Sequence, residues 1–421
     1  MDIPDWQAAA ANTLWRPYRQ MKNAPPSLPV VGASGVRMTL ADGRELIDGI
    51  ASWWTACHGH RHPHITAALA DQLNHVHHVM LGGLVHPQAA RLSTRLAALC
   101  PGDLDHVFFS ESGSVSVEIA LKMAIQYWRN KGVQGRTRFL AFRGGYHGDT
   151  MAAMSVCDPE EGMHTMFRGA LAEQVIAPIP RTRQDRQAVL RLLTEHHSEL
   201  AGVIVEPLVQ GAGGMRFHAA DDLAWLRRVT EDRELLLIAD EIMTGFGRLG
   251  TMFACDQAGV VPDIMTLSKA LTGGTLPLAA TVARSSVFDA FWSDEPGHEL
   301  MHGPTFMGNA LACAAANASL DLFALNTDRL DRARAMELQL REGLAGCLDL
   351  PGVVDVRCRG ALGVVELAGP ADREWWVQHA VDNGVWLRPF GNIVYTTPPL
   401  VMDADDLDRI IGTMVSGLRV G

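Results

Sequence analysis

The run Leu235-Leu236-Leu237-Ile238-Ala239-Asp240-Glu241 decides the fold. Apolar residues ending in two carboxylates read as a strand buried on both faces, with a polar task at its carboxyl end. Runs of the same kind flank it: Val107-Phe108-Phe109-Ser110, Arg138-Phe139-Leu140-Ala141-Phe142, Gly202-Val203-Ile204-Val205-Glu206 and Asp263-Ile264-Met265-Thr266-Leu267-Ser268. Each is separated from the next by enough chain for a crossover helix, and 114–131 reads as one such helix. The expected fold is α/β, a mostly parallel central sheet flanked by helices, from about residue 60 to 325.

Outward from that core the pattern changes. Pro25-Pro26, Pro29 and Asp42-Gly43 punctuate short alternating stretches such as Val36-Arg37-Met38-Thr39-Leu40, which predict an extended arm and small hairpins. Beyond Asn326 the chain predicts α+β structure: an arginine-rich helix near 328–345, short strands near 353–367 and 393–396, and a last helix after Asp403. The expected organisation is an N-terminal arm and part of a small domain over 1–60, a large domain over 61–325, and the remainder of the small domain over 326–421.

The 421 residues carry 36 basic and 47 acidic side chains, a formal charge of −11, which argues against nucleic acid or an anionic membrane as partner. Seven scattered cysteines contain no C-x-x-C and suggest reduced thiols, hence a cytoplasmic protein. The start, Met1-Asp2-Ile3-Pro4-Asp5, lacks the basic and apolar regions of a leader peptide, and no apolar run reaches membrane-spanning length. His58, His60, His62 and His64 alternate, with His75, His77 and His78 behind them, but in no metal-binding spacing, and no metal is expected. No G-x-G-x-x-G follows a strand, and no G-x-S-x-G supports a hydrolase.

Ligands of open α/β sheets collect at the carboxyl ends of the strands. After 107–110 come Ser112-Gly113-Ser114 and a helix start, which suits a phosphate, though a tight turn with an N-cap serine reads as well. After 138–142 come Gly144-Gly145-Tyr146-His147-Gly148-Asp149, glycines for close approach and a flat ring. Asp240 ends the next strand as a ligand group or as a cap. Lys269 follows the last strand and precedes Gly273-Gly274. Only Lys22, Lys122, Lys131 and Lys269 are lysines, and Lys269 alone sits between a buried strand and a glycine turn. Lysine is the basic residue able to act as a nucleophilic amine. Phosphate cradle, flat face, strand-end acid and strand-end lysine together are the parts of a pyridoxal phosphate site.

The sequence also resembles a known family, the fold-type I, class III aminotransferases. The class features are Glu206-Pro207 through Gly214, Asp240-Glu241 with Thr244-Gly245-Phe246-Gly247-Arg248, and Ser268-Lys269-Ala270. A narrower likeness, to the biotin-synthesis branch, rests on Ser52-Trp53-Trp54 with His58-Gly59, Gly145 to Thr150, Ala153 to Pro159, Met301 to Asn309, and Trp386 to Gly391. It extends over about 12–400.

The resemblance implies pyridoxal 5'-phosphate as cofactor, bonded by Lys269, which would then shuttle the substrate proton. It implies Asp240 on the pyridinium nitrogen, and Gly113 and Ser114 on the phosphate, joined by Pro304 and Thr305 from the other subunit of a homodimer with interface active sites. Trp53 and Tyr146 would stack on the cofactor and shape the substrate slot. Tyr18 and Asp149 would recognise amino groups, Gly303 would give a backbone contact, and Arg388 would hold a carboxylate, with Arg248 the second choice. The implied reaction is a ping-pong transfer from S-adenosyl-L-methionine to 8-amino-7-oxononanoate. Another ω-amino-acid or diamine transaminase, a lysine-dependent diaminononanoate synthase, and a non-catalytic protein that kept the fold are the alternatives.

Overall fold

Strand β5 (Leu236–Asp240) runs through the middle of a seven-stranded sheet. The others are β1 (His106–Ser110), β2 (Arg138–Phe142), β3 (Val175–Ala177), β4 (Leu200–Val205), β6 (Ile264–Leu267) and β7 (Ala279–Ala283), in spatial order β1-β7-β6-β5-β4-β2-β3. These come from a computed structural model, which describes residues 5–160, 164–326 and 328–420. Residues 1–4, on which the leader reading partly rests, lie outside the described residues.

Strands β3, β2, β4, β5 and β6 pair in parallel, while β7 is antiparallel to both its neighbours, β6 and β1. Both faces are covered, as a parallel sheet requires. Helix α1 (Gly113–Asn130) packs Val117, Ile119 and Ala124 against Phe139, Ile204, Ile238 and Ile264 on one face. The alternate residues Leu140, Val203, Leu237 and Met265 enter the larger core on the other. The strand ends agree with the sequence reading to within about two residues.

The N- and C-terminal segments share one sheet. Strands Val30–Ser34, Arg37–Leu40 and Glu45–Asp48 are joined by Val385–Trp386, which pairs in parallel with Glu45–Asp48. A three-stranded sheet, Val353–Cys358, Gly363–Leu367 and Ile393–Thr396, adjoins the long helix Arg329–Leu344, which packs in turn on Ala404–Val420. One expectation needs correction: the arm is not extended throughout, because Asp5–Thr13 is helical. Its four consecutive alanines, Ala8 to Ala11, favour that state. Among the described residues no helix is long and apolar enough to cross a membrane.

Candidate active site

The carboxyl ends of β1, β2, β4, β5 and β6 converge on one cleft of about 650 Å³, counting its open mouth. Gly113, Ser114, Tyr146, Asp240 and Lys269, all expected from the sequence, line it, together with Trp54, Ser112, His147, Glu206 and Met243.

At one end lies the start of α1. The Ser112 side chain caps the helix by accepting from Val115 N–H at 3.4 Å, so the N-cap reading holds. The first-turn N–H groups still face the cleft end and attract an anion. The wall at residue 148 fits only glycine, and that at 113 is tight. A Cβ on Gly148, at φ +131, would stand 2.3 Å from Ser114 Oγ, and one on Gly113 would press Ile242 at 3.0 Å. Ser114 Oγ in turn accepts from Asp149 N–H at 3.0 Å, which ties the glycine loop to the helix start.

Asp240, at the end of β5, lines the same cleft and is 5 % exposed. Its Oδ1 accepts from Ile242 N–H at 3.1 Å and from the Thr266 hydroxyl at 3.2 Å, so it also caps the chain that follows. Its Oδ2 is 2.7 Å from His147 Nδ1. Burial alone would push the imidazole towards neutrality, but the hydrogen bond and charge of Asp240 outweigh it and raise the His147 pKa. Glu206, just past β4, accepts from Tyr146 N–H at 3.0 Å and Gly211 N–H at 2.8 Å. Burial lifts its carboxyl to about 7.

Lys269 follows β6 in the left-handed region, φ 46, a strained state that functional positions retain when their surroundings enforce it. Its Nζ lies 4.3 Å from the centre of the Trp54 ring. Burial lowers its pKa to about 8, against the opposing pull of Asp240 and Glu206. Such an amine is partly neutral near physiological pH, as a nucleophile and proton carrier must be.

Trp54 belongs to an unusual turn. Ala51–Trp54 is a one-turn helix whose four residues all have positive φ, 45, 47, 60 and 67. Trp54 N–H reaches Ile50 O at 2.9 Å and Thr55 N–H reaches Ala51 O at 2.8 Å, so the hydrogen bonds are helical but the hand is left. Left-handed backbone costs roughly 1–2 kcal/mol per non-glycine residue, or about 4–8 kcal/mol over this turn. The turn sends the two indoles to different partners. Trp54 meets Lys269, whereas Trp53 lies 5.0 Å from the Arg388 guanidinium and 6.2 Å, edge-on, from Tyr18.

Around the mouth, Asp149 collects hydroxyl and imidazole donors. Tyr18 donates to its Oδ2 at 2.5 Å, Tyr146 to its Oδ1 at 3.0 Å, and His164 Nε2 lies 2.9 Å from Oδ1. Burial would raise the Asp149 pKa, but these bonds outweigh it and lower it. Burial pushes the Tyr18 hydroxyl up to about 12, so it stays a donor.

Other expected residues stand elsewhere. Gly303 and Thr305 are exposed and Pro304 is half-buried, and none of them lines this cleft. Arg248 is buried, and its Nη1 donates to Pro398 O at 2.6 Å and Ala361 O at 3.4 Å, so that nitrogen is spent on the backbone. The histidine run is structural: His58 bonds Ser319, His60 bonds Asp48 and His64 bonds Asp321. Among the described residues no cluster of three ligands could hold a metal.

This geometry can be set beside known proteins. The family described as aminotransferase class-III matches residues 18–418. The chain belongs to the class-III aminotransferases. It is similar to adenosylmethionine-8-amino-7-oxononanoate aminotransferases of Mycobacterium leprae, 47% identical with 97% of this chain and 95% of that one covered, and of Corynebacterium glutamicum, 43% identical with both covered fully. A crystal structure of an adenosylmethionine-8-amino-7-oxononanoate aminotransferase from Methanocaldococcus jannaschii superposes with a TM-score of 0.94 at 30% identity, covering 98% of each chain. An amine transaminase from an uncultivated Pseudomonas species, in its PLP-bound form, gives 0.90 at 32% identity, covering 97% of this chain and 99% of that one.

Class-III aminotransferases use pyridoxal phosphate, and the residues of this cleft fit it. A helix start walled closely by Gly113 and Gly148 suits the phosphate, a buried carboxylate backed by His147 suits a protonated ring nitrogen, and a lysine of lowered pKa stands where an aldehyde could be reached. Sequence reasoning missed Trp54, His147 and Glu206 as cleft residues, although all three stand in motifs it singled out.

Proposed function

We propose that this aminotransferase moves the amino group of S-adenosyl-L-methionine to 8-amino-7-oxononanoate, giving 7,8-diaminononanoate, with the two substrates using one site in turn. The observation that carries the reading is the meeting of Lys269 and Asp240 in one cleft, from which Tyr146 reaches Asp149 and, through Tyr18 and Trp53, a chain of contacts leads to Arg388. The names and high identity of the relatives support the substrate pair.

Bound pyridoxal phosphate supplies an electron sink for the carbon that exchanges its amino group. Everything else falls to the protein. Lys269 Nζ, partly neutral, takes the proton from that carbon and returns it on the cofactor side. Asp240, oriented by His147 and Thr266, keeps the ring nitrogen protonated. Gly113 and Ser114 hold the phosphate at the positive end of α1. Tyr18, Tyr146 and Asp149 receive amino groups: one carboxylate and two hydroxyls suit an ammonium ion. Trp53 and Tyr146 wall the slot, and Arg388, its face on Trp53, meets the far carboxylate with parallel hydrogen bonds.

The reading includes a cytoplasmic homodimer. Exposed Gly303 and Thr305 sit beside Met301 and Phe306, and Phe306 packs on His78 near exposed Met80, Leu84 and Val85. An apolar patch of this kind marks an interface, and it lets Gly303, Pro304 and Thr305 serve the other subunit's cleft. The seven buried, unpaired thiols support a reducing compartment.

The test is a two-stage spectral reaction on the holoenzyme. S-adenosyl-L-methionine alone should bleach the visible cofactor band, and 8-amino-7-oxononanoate added after gel filtration should restore it. Bleaching by lysine or a simple ω-amine, but not by S-adenosyl-L-methionine, would transfer the protein to another branch of the class.

A further inference from the structure

The left-handed turn needs something to hold it, and its neighbours are specific. Asp48 ends the strand Glu45–Asp48, is 0 % exposed, and projects its carboxylate back along the turn. Oδ1 accepts from Ile50 N–H at 3.2 Å, Oδ2 accepts from the Ser52 hydroxyl at 2.8 Å, and His60 Nε2 lies 2.9 Å from Oδ2. One buried carboxylate thus binds the residue before the turn, a residue inside it, and the chain that returns beyond it. Carbonyls at the entry are taken as well: Thr396 Oγ1 donates to Gly49 O at 2.6 Å and Thr397 Oγ1 to Ile50 O at 3.2 Å.

The same strand sets the turn against Arg388. Ile47 pairs with Val385 and Asp48 with Trp386, two residues before the guanidinium. A Cβ on Gly49 would stand 2.9 Å from Leu387, so the two segments are in close contact.

We propose that Asp48 is a positioning residue for both ends of the active site: through Ser52 and His60 it fixes the left-handed turn that sets Trp54 over Lys269 and Trp53 under Arg388. A right-handed or open turn would send the two indoles in other directions. Asp48 does not line the cleft and acts through the groups it binds, Ile50, Ser52 and His60. The inference rests on the functional reading above for its substrates, but its physical content is the conformation of residues 51–54.

The experiment uses holoenzyme labelled with 5-fluorotryptophan, in which Trp53 and Trp54 are two of ten resonances and are assigned with Trp53→Phe and Trp54→Phe. Asp48→Ala is expected to move those two fluorine signals, together with that of Trp386, the strand neighbour of Asp48, and leave the other seven in place. It should also lower kcat/KM for 8-amino-7-oxononanoate about tenfold, mainly through KM, and by less than about twofold when Trp53 is already alanine. Where Asp48→Ala does not fold, Ser52→Ala, which removes the bond inside the turn, should do the same more weakly. Unmoved signals, a shift spread over all ten, or a loss that simply adds to that of Trp53→Ala would overturn the proposal. A wild-type enzyme inert to both substrates would end the functional reading while leaving the fluorine result to decide the role of Asp48.

Discussion

Lys269 is costly to keep charged in its cleft, and its removal from the cofactor-free protein gives a result of defined sign. Burial moves its pKa from the ordinary 10.5 to about 8. At about 1.4 kcal/mol per pKa unit, holding the charged form in the cleft costs about 3 kcal/mol at neutral pH. The amine borders the open cleft, so about 1–2 kcal/mol is the expected net effect after solvent screening. Unfolded chains bind the proton up to the ordinary value, and the folded protein releases it from about 8. The penalty is therefore full below pH 8 and disappears as pH rises through that window. Lys269→Met conserves most of the volume and removes the charge. Urea denaturation of the two cofactor-free proteins should find the variant more stable by about 1–2 kcal/mol at pH 7, with the gap closing towards pH 10. A wild type equal to or more stable than the variant at pH 7 would refute the argument that burial governs this amine.

Other expectations follow from the same geometry. Asp240→Ala should lower transamination at least about a hundredfold in steady-state assays, since it removes both the proton-holding group and the partner of His147. Arg388→Ala should raise KM for the keto acid about ten- to a hundredfold, the worth of a charge-assisted pair, and leave the donor half-reaction nearly unchanged. Equal effects on both half-reactions would remove Arg388 from its role. On the proposed homodimer, the Lys269→Ala and Thr305→Ala variants should each be impaired, and after subunit exchange by mixing, about a quarter of sites should regain wild-type composition if Thr305 serves the partner's cleft. No recovery by activity assay after demonstrated exchange would place Thr305 outside the site.

The sheet was legible because its central strands are bounded apolar runs, and β2 was read to the residue. What escaped was β3, Val175–Ala177, only three residues long, and β7, Ala279–Ala283, whose three alanines give little strand signal, although pairing on both sides makes it the antiparallel link between β6 and β1. Lys269 stood out through its scarcity and its place after a buried strand. The functions of the two indoles did not. Adjacent Trp53 and Trp54 were visible as a motif, but only the backbone hand tells which faces Lys269, and four positive φ angles in a row without glycine leave no mark in sequence. Asp48 was hidden for the same reason: its partners lie within the turn and at His60, which reads as one of an alternating histidine row. Glu206 was recognised as a class feature, yet its hydrogen bonds to Tyr146 and Gly211 depend on two loops folding over one another.

The central claim is that one lysine among four carries the cofactor against Asp240. Borohydride reduction of the holoenzyme, followed by proteolysis and mass spectrometry, tests it directly. The account requires a single modified peptide with the phosphopyridoxyl group on Lys269, lost in Lys269→Ala. A label on Lys22, Lys122 or Lys131, or none on any lysine of fully loaded enzyme, would contradict it.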